Sequence, residues 1–155
     1  TGKGVVQIFD LDDTLTLKPE GFDNSGMTKD DFFDASRDFP YDPAVVFLLK
    51  LMFNWHDAIA ICTSRPVNRM TETWQWLRKH NIPFDCLIHS KEVVASGIAK
   101  QYMIKHLQTM YPRIGTMFDD SPWNVQGARL QKIGAVHLPK NQEYWLAHPE
   151  EVYKV

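Results

Sequence analysis

The sequence predicts an α/β fold in which a parallel sheet is covered by helices on both faces, and three observations carry that prediction. Short apolar runs of strand length recur at Val5–Phe9, Ala58–Cys62, Phe84–Ile88, Ile114–Phe118 and Ala135–Leu138. Helical patterns lie between them at Ala44–Trp55, Val67–His80, Ile98–Met110 and Trp123–Lys132. Strand and helix alternating at this spacing belong to a parallel sheet with crossover helices. Finally, three of the runs end in polar clusters, Asp10-Leu11-Asp12, Thr63-Ser64-Arg65-Pro66 and Asp119-Asp120-Ser121-Pro122, at the carboxyl ends where open α/β sheets bind ligands.

The first run carries the most chemistry. In Ile8-Phe9-Asp10-Leu11-Asp12-Asp13-Thr14-Leu15 two carboxylates two residues apart leave a buried strand. Residues i and i+2 project to the same side, so Asp10 and Asp12 can converge on one substrate atom, one attacking while the other handles a proton. An Asp-rich turn that merely ends a strand is the alternative for this motif alone. Two further clusters on the same sheet edge shift the balance toward phosphoryl transfer.

Between the first strand and the helix at Ala44 runs a polar stretch, residues 16–43, too long for a plain connector. Its Met27–Arg37 part starts like a helix, with Thr28 as cap. It reads as a minimal cap over the site or as a surface loop with a helical turn. Within it, Gly21 to Thr28 has the glycine spacing of a P-loop, but Met27 stands where the lysine belongs and no buried strand precedes it, so the chain carries no kinase site. The tail from Asn141 to Val155, with Tyr144, Trp145 and Tyr153, is expected to pack back on the body.

Composition bounds the rest. At 155 residues the chain is expected to form one domain over 1–155, and 44% hydrophobic with 23% charged residues is ordinary for a soluble protein. No apolar run is long enough for a membrane helix and the start does not resemble a signal peptide, which suggests a cytosolic setting. Thr1-Gly2-Lys3-Gly4 in place of an initiator Met suggests a processed or excised chain, with a partner domain missing. A formal charge of −2 argues against a dedicated duplex-binding surface but leaves room for a phosphorylated end as substrate. Cys62 and Cys86 fall inside strands as reduced packing residues, and the six histidines have no paired metal spacing, which excludes a zinc site.

With these motifs in order, the chain resembles the haloacid dehalogenase-like phosphohydrolases. Their signature is Asp-x-Asp-x-Thr/Val, a Thr or Ser after the second strand, a Lys, then an acidic pair. Here these are Asp10, Asp12 and Thr14, then Thr63, Lys100, and Asp119 with Asp120, spread from Val5 to about Leu138. The stretches Asn68–Trp74 and Ala99–Leu107 look like the 3′-phosphatase domain of phage-type polynucleotide kinase-phosphatases, although Ser96 and Gly97 stand where those often carry an acid.

The resemblance implies a three-layer Rossmann-like α/β fold with a minimal cap or flap after the first strand, and a set of roles. Asp10 would be the nucleophile, forming an aspartyl-phosphate, and Asp12 the general acid and base. A phosphate dianion cannot approach two carboxylates without a cation, and hard oxygen ligands shared with phosphate and water describe Mg²⁺. The Asp10 side chain, the Asp12 backbone carbonyl and Asp120 would bind it, with Asp119 as auxiliary; helix capping ahead of Pro122 is the alternative for the acidic pair. The Thr63 hydroxyl and the N–H groups that follow, Ser64 first, would hold a phosphoryl oxygen, unless Thr63 is a helix cap. Lys100 would neutralise charge there, with Lys91 and Lys105 as competitors. Arg65 faces the site, to bind a second phosphate or nucleotide edge or to pair with a neighbouring acid. Trp123 could stack on a base or pack the core.

The function expected is a Mg²⁺-dependent phosphomonoesterase acting on nucleic-acid 3′ ends, beside a kinase or repair domain outside this chain. A 5′(3′)-nucleotidase is the alternative, a catalytically silent phosphate-binding scaffold a more distant one, and a phosphomutase is disfavoured by the lack of a sizeable cap.

Overall fold

A computed structural model describes residues 2–91 and 96–147. Five strands, β1 Val5–Phe9, β2 Ala58–Pro66, β3 Cys86–Ser90, β4 Arg113–Asp119 and β5 Gly134–His137, form one sheet in the order β3-β2-β1-β4-β5. All four strand pairings are parallel. The described residues also form helices α1 Lys29–Ser36, α2 Pro43–Asn54, α3 Met70–Lys79, α4 Ser96–Met110, α5 Pro122–Leu130 and α6 Gln142–Leu146.

Alternate residues of β1 point to opposite faces, and each face has its own core. Val6 and Ile8 join Ala58, Ala60 and Cys62 beneath α4 and α5, where Met103, Ile104, Leu107 and Ala128 are buried. Phe9, Ile59 and Ile61 pack on the other face against Val46 and Leu49 of α2 and Trp76 and Leu77 of α3. Phe9 stacks on Phe118, ring centroids 4.7 Å apart, and so ties β1 to β4 at the edge where both strands deliver their carboxylates.

Two irregularities shape that edge. Opposite Gln7 the β1–β4 register slips, and the Gln7 side chain accepts from Thr116 N at 2.7 Å while donating to Asp57 Oδ2 at 3.0 Å. Gly115 makes room for it, since a Cβ there would lie 2.4 Å from Gln7 Oε1. In β2 the pairing skips from Thr63 to Pro66, so Ser64 and Arg65 bulge from the ladder. The strand therefore runs four residues past the apolar stretch that announced it, and a 3₁₀ turn over Val67–Arg69 precedes α3.

Segment 16–43 leaves and re-enters the body side by side: Leu17 N donates to Pro40 O and Asp42 N to Leu15 O. Thr28 caps α1 by accepting from Asp31 N at 3.1 Å. Phe22, Phe32 and Phe39 pack edge to face inside the segment. Arg69 holds α1 to the body by pairing with Asp34 at 2.6 Å and Asp30 at 3.2 Å. Helix α6 was not predicted; it lies in the tail expected to pack back on the body, and residues 148–155, Tyr153 among them, fall outside the described residues. Among the described residues, no helix is long and apolar enough to cross a membrane.

Candidate active site

Asp10 sits one residue past β1, with its backbone N–H bonded to Phe118 O at 3.0 Å, so its place is fixed by the β1–β4 pairing. Its carboxylate is buried. Oδ1 accepts from Lys100 Nζ at 2.6 Å and Oδ2 from the Thr14 hydroxyl at 3.1 Å. Burial first, then the Asp119 carboxylate, push its pKa up to about 7 against the opposing pull of Lys100. Asp13, three residues before Thr16, adopts the left-handed conformation (φ 60°) that lets the chain turn back over the strand end.

Lys100 answers the question of which lysine belongs here. Its Nζ bridges Asp10 Oδ1 at 2.6 Å and Asp119 Oδ2 at 2.9 Å, and it is 2% exposed, whereas Lys91 and Lys105 are exposed. Burial disfavours its charge, but the Asp10 and Asp119 carboxylates outweigh that and hold the ammonium above its usual range.

Asp119 and Asp120 divide their work. Asp119 accepts from Ser121 N at 2.9 Å, from Lys100 and from Asn124 Nδ2 at 3.0 Å. Ser121, and neither aspartate, caps α5, accepting from Asn124 N at 3.3 Å. Asp120 turns toward Asp10, and burial followed by the Asp10 and Asp119 charges raise its pKa well above the carboxylate range. Its Oδ2 accepts from the Trp145 indole at 2.8 Å.

Asp12 is engaged differently from Asp10. Both its oxygens accept from Arg65, Oδ2 from Nε at 2.9 Å and Oδ1 from Nη2 at 2.5 Å. Arg65, 4% exposed, also donates to Ser36 Oγ on α1 at 2.7 Å and lies over the Phe33 ring at 5.0 Å. Of the two uses open to Arg65 from sequence, this is the pairing with a neighbouring acid. Thr63 is buried, and its hydroxyl accepts from Arg65 N at 3.2 Å, so it shapes the bulge and caps no helix. Ser64 is exposed and lines the groove above the site. The indole N–H of Trp123 donates to Trp145 O at 3.0 Å, which is a packing use.

The carboxylates open into a groove of about 1310 Å³, bounded on one side by the 24–33 stretch and on the other by 139–145. Phe32 and Phe33 line the first wall, Tyr144 and Trp145 the second. The second wall was missed from sequence. It is stitched to the first motif by Asn141 Nδ2 on Asp13 Oδ2 at 2.7 Å and Lys140 Nζ on Thr14 O at 3.2 Å, contacts that span more than a hundred residues.

A hard divalent cation fits these residues. Asp10, Asp119 and Asp120 each place a carboxylate oxygen within 4.8 Å of the others, all buried, and Lys100 is the ammonium bound among them. Burial first, and the neighbouring carboxylates after it, raise the Asp10 and Asp120 pKa values, and a cation held by these residues would offset both effects. All-oxygen donors of this kind suit hard cations such as Mg²⁺, Ca²⁺ or Mn²⁺ over softer metals.

No family model matches the sequence, and no curated protein does. Solved structures do. A chain of the Pnkp1/Rnl/Hen1 RNA repair complex superposes with a TM-score of 0.74 at 19% identity, over 89% of this chain and 43% of that one. The class C acid phosphatase from Bacillus anthracis gives 0.68 at 15% identity, over 97% and 73%. A haloacid dehalogenase-like family hydrolase from Streptococcus pneumoniae gives 0.59 at 14% identity, over 96% and 92%. The chain thus spans less than half the length of the RNA repair chain it superposes on. Sheet order, helical layers and these likenesses agree on the class: this chain has the haloacid dehalogenase-like fold.

Proposed function

We propose that the chain is a Mg²⁺-dependent phosphomonoesterase that removes 3′-phosphates from nucleic-acid ends. The observation that carries the reading is Asp10, a buried carboxylate at a strand end, flanked by Lys100, Thr14 and Asp120 and opening into the groove that Asp12 also lines. In this reading an Asp10 oxygen attacks phosphorus, the bond to the leaving sugar oxygen breaks, and Asp12 supplies the proton that oxygen takes up. Asp12 then takes a proton from water, whose oxygen attacks the phosphorus of the aspartyl-phosphate; the bond to Asp10 breaks and inorganic phosphate leaves. The Arg65 fork occupies both Asp12 oxygens, so protonation of either requires one of those contacts to open.

The Asp10 side chain, the Asp12 backbone carbonyl and Asp120 would hold Mg²⁺, with Asp119 orienting Lys100. Bound there, the cation would neutralise the excess negative charge and polarise a phosphoryl oxygen. Lys100 keeps Asp10 turned toward the groove and offsets charge on the phosphoryl group, while the Thr63 hydroxyl and the Ser64 N–H would hold its oxygens.

The polymer-end reading draws on the small size of segment 16–43, which we take as a minimal cap, and on the likeness to the RNA repair complex. An acidic groove lined by Asp30 and Glu143 besides the site carboxylates suits a terminal phosphate rather than a long polyanion track. We place the chain beside a kinase or repair domain, in the cytoplasm. The aromatic walls favour a second reading, a 5′(3′)-nucleotidase holding one nucleoside. Phosphate release with Mg²⁺ from a 3′-phosphorylated oligonucleotide, a 5′-phosphorylated one and matching mononucleotides separates the two. Release confined to the 3′-phosphorylated oligonucleotide is expected, preference for mononucleotides supports the nucleotidase, and no release from any substrate overturns both.

A further inference from the structure

We infer that Trp145 is a positioning residue for the cation site: its indole N–H holds Asp120 in the rotamer that binds the metal. This rests on the reading of Asp120 as a Mg²⁺ ligand. Trp145 Nε1 donates to Asp120 Oδ2 at 2.8 Å from α6, an element remote in sequence from every motif of the site. A carboxylate turns freely about its last torsion unless something fixes one oxygen. With Oδ2 held by the indole, the plane of the Asp120 carboxylate is set within a cluster in which Asp10, Asp119 and Asp120 keep oxygens within 4.8 Å of one another.

The chemistry of the donor suits this task. An indole N–H donates only, carries no charge and does not titrate, so it orients the carboxylate without competing electrostatically with the cation. Asp119, by contrast, is held by an ammonium and an amide, Lys100 and Asn124. The two aspartates therefore differ in what holds them, a charged donor for Asp119 and a neutral one for Asp120.

Trp145 is itself braced. Its carbonyl accepts from Trp123 Nε1 at 3.0 Å, and the Tyr144 ring meets its own ring edge to face at 5.0 Å. The stretch before α6 is tied to the first motif loop through Asn141 with Asp13, Lys18 with Asn141 at 2.9 Å, and Lys140 with Thr14. The indole is thus set against Asp120 by the same loop whose neighbour, Asp12, would offer its carbonyl to the cation. Partners of this kind, one bond removed from the metal, typically govern its affinity by ~10–100-fold.

The test reads Mg²⁺ binding, not turnover. Calorimetric titration of the intact chain is compared with Trp145→Phe, which keeps an aromatic ring and loses the N–H. The variant is expected to bind Mg²⁺ at least about tenfold more weakly, and Trp145→Phe added to Asp120→Asn is expected to change nothing further. In the parent chain, which needs no substitution to fold, the Trp145 indole N–H resonance in a ¹⁵N correlation spectrum should move on adding Mg²⁺, while that of Trp76, which donates to Phe39 O, stays put. Unchanged affinity in Trp145→Phe, or a Trp145 resonance indifferent to Mg²⁺ in a parent chain that binds the ion, overturns the positioning role alone. A parent chain that binds no Mg²⁺ overturns it together with the metal reading.

Discussion

Arg65 grips Asp12 with both arms of its guanidinium while the same Nη2 reaches Ser36 on α1, so one side chain joins the bulge of β2, the first motif and segment 16–43. The fork fixes the plane of the Asp12 carboxylate in a way a single ammonium cannot. Arg65→Lys is therefore expected to lower kcat by about tenfold or more, the equivalent of one lost charge-assisted hydrogen bond, with a smaller change in KM. Steady-state kinetics on the best substrate check this; a drop confined to KM would mean that Arg65 binds substrate instead.

Lys100 is the counter-ion of a buried acidic cluster, and removing it leaves Asp10, Asp119 and Asp120 facing one another. Lys100→Met is expected to cost about 3–5 kcal/mol of stability in chelator, as breaking one side of a buried ion pair does, and to recover part of that loss in Mg²⁺. Denaturant unfolding under the two conditions measures both effects.

The metal itself is expected to stabilise the fold. A ligand held only by the native state at a hundredfold above its dissociation constant adds about 2.7 kcal/mol, so Mg²⁺ should raise the melting temperature of the parent chain and leave that of Asp120→Asn nearly unmoved.

His89 supplies a pH test at a group outside the metal cluster. Buried at the end of β3 with Nε2 2.9 Å from the Thr73 hydroxyl, it is held down to about 4 by burial and then by the Arg65 charge. The unfolded chain, with histidine near its ordinary 6.5, therefore binds a proton that the folded chain refuses between those values. Its stabilising contribution is complete above about 6.5 and is lost as pH falls toward about 4. Melting curves of the parent and His89→Gln should differ in slope over that window, the variant being the flatter.

How much of this was legible from sequence depends on the range of the interactions. The five strands were, because each is a short apolar run and buried parallel strands need no alternation. The overrun of β2 was not, since Ser64 and Arg65 leave the ladder for reasons that lie in Asp12 and Ser36. Lys100 carried a signal that separates it from Lys105: it falls four residues before Ile104 and seven before Leu107, on the buried stripe of α4, where a lysine must have a partner. Trp145 was legible as a residue that packs back on the body, but its bond to Asp120 was not, because a five-residue helix has no period to read and Asp120 lies 25 positions away.

Asp10 as nucleophile is tested most directly by acid quenching of the chain during turnover, followed by mass analysis of the peptide that contains Asp10. A phosphoryl adduct on that peptide, absent in Asp10→Asn along with phosphate release, is the predicted result. Turnover that proceeds without an adduct, and persists in Asp10→Asn, would contradict it.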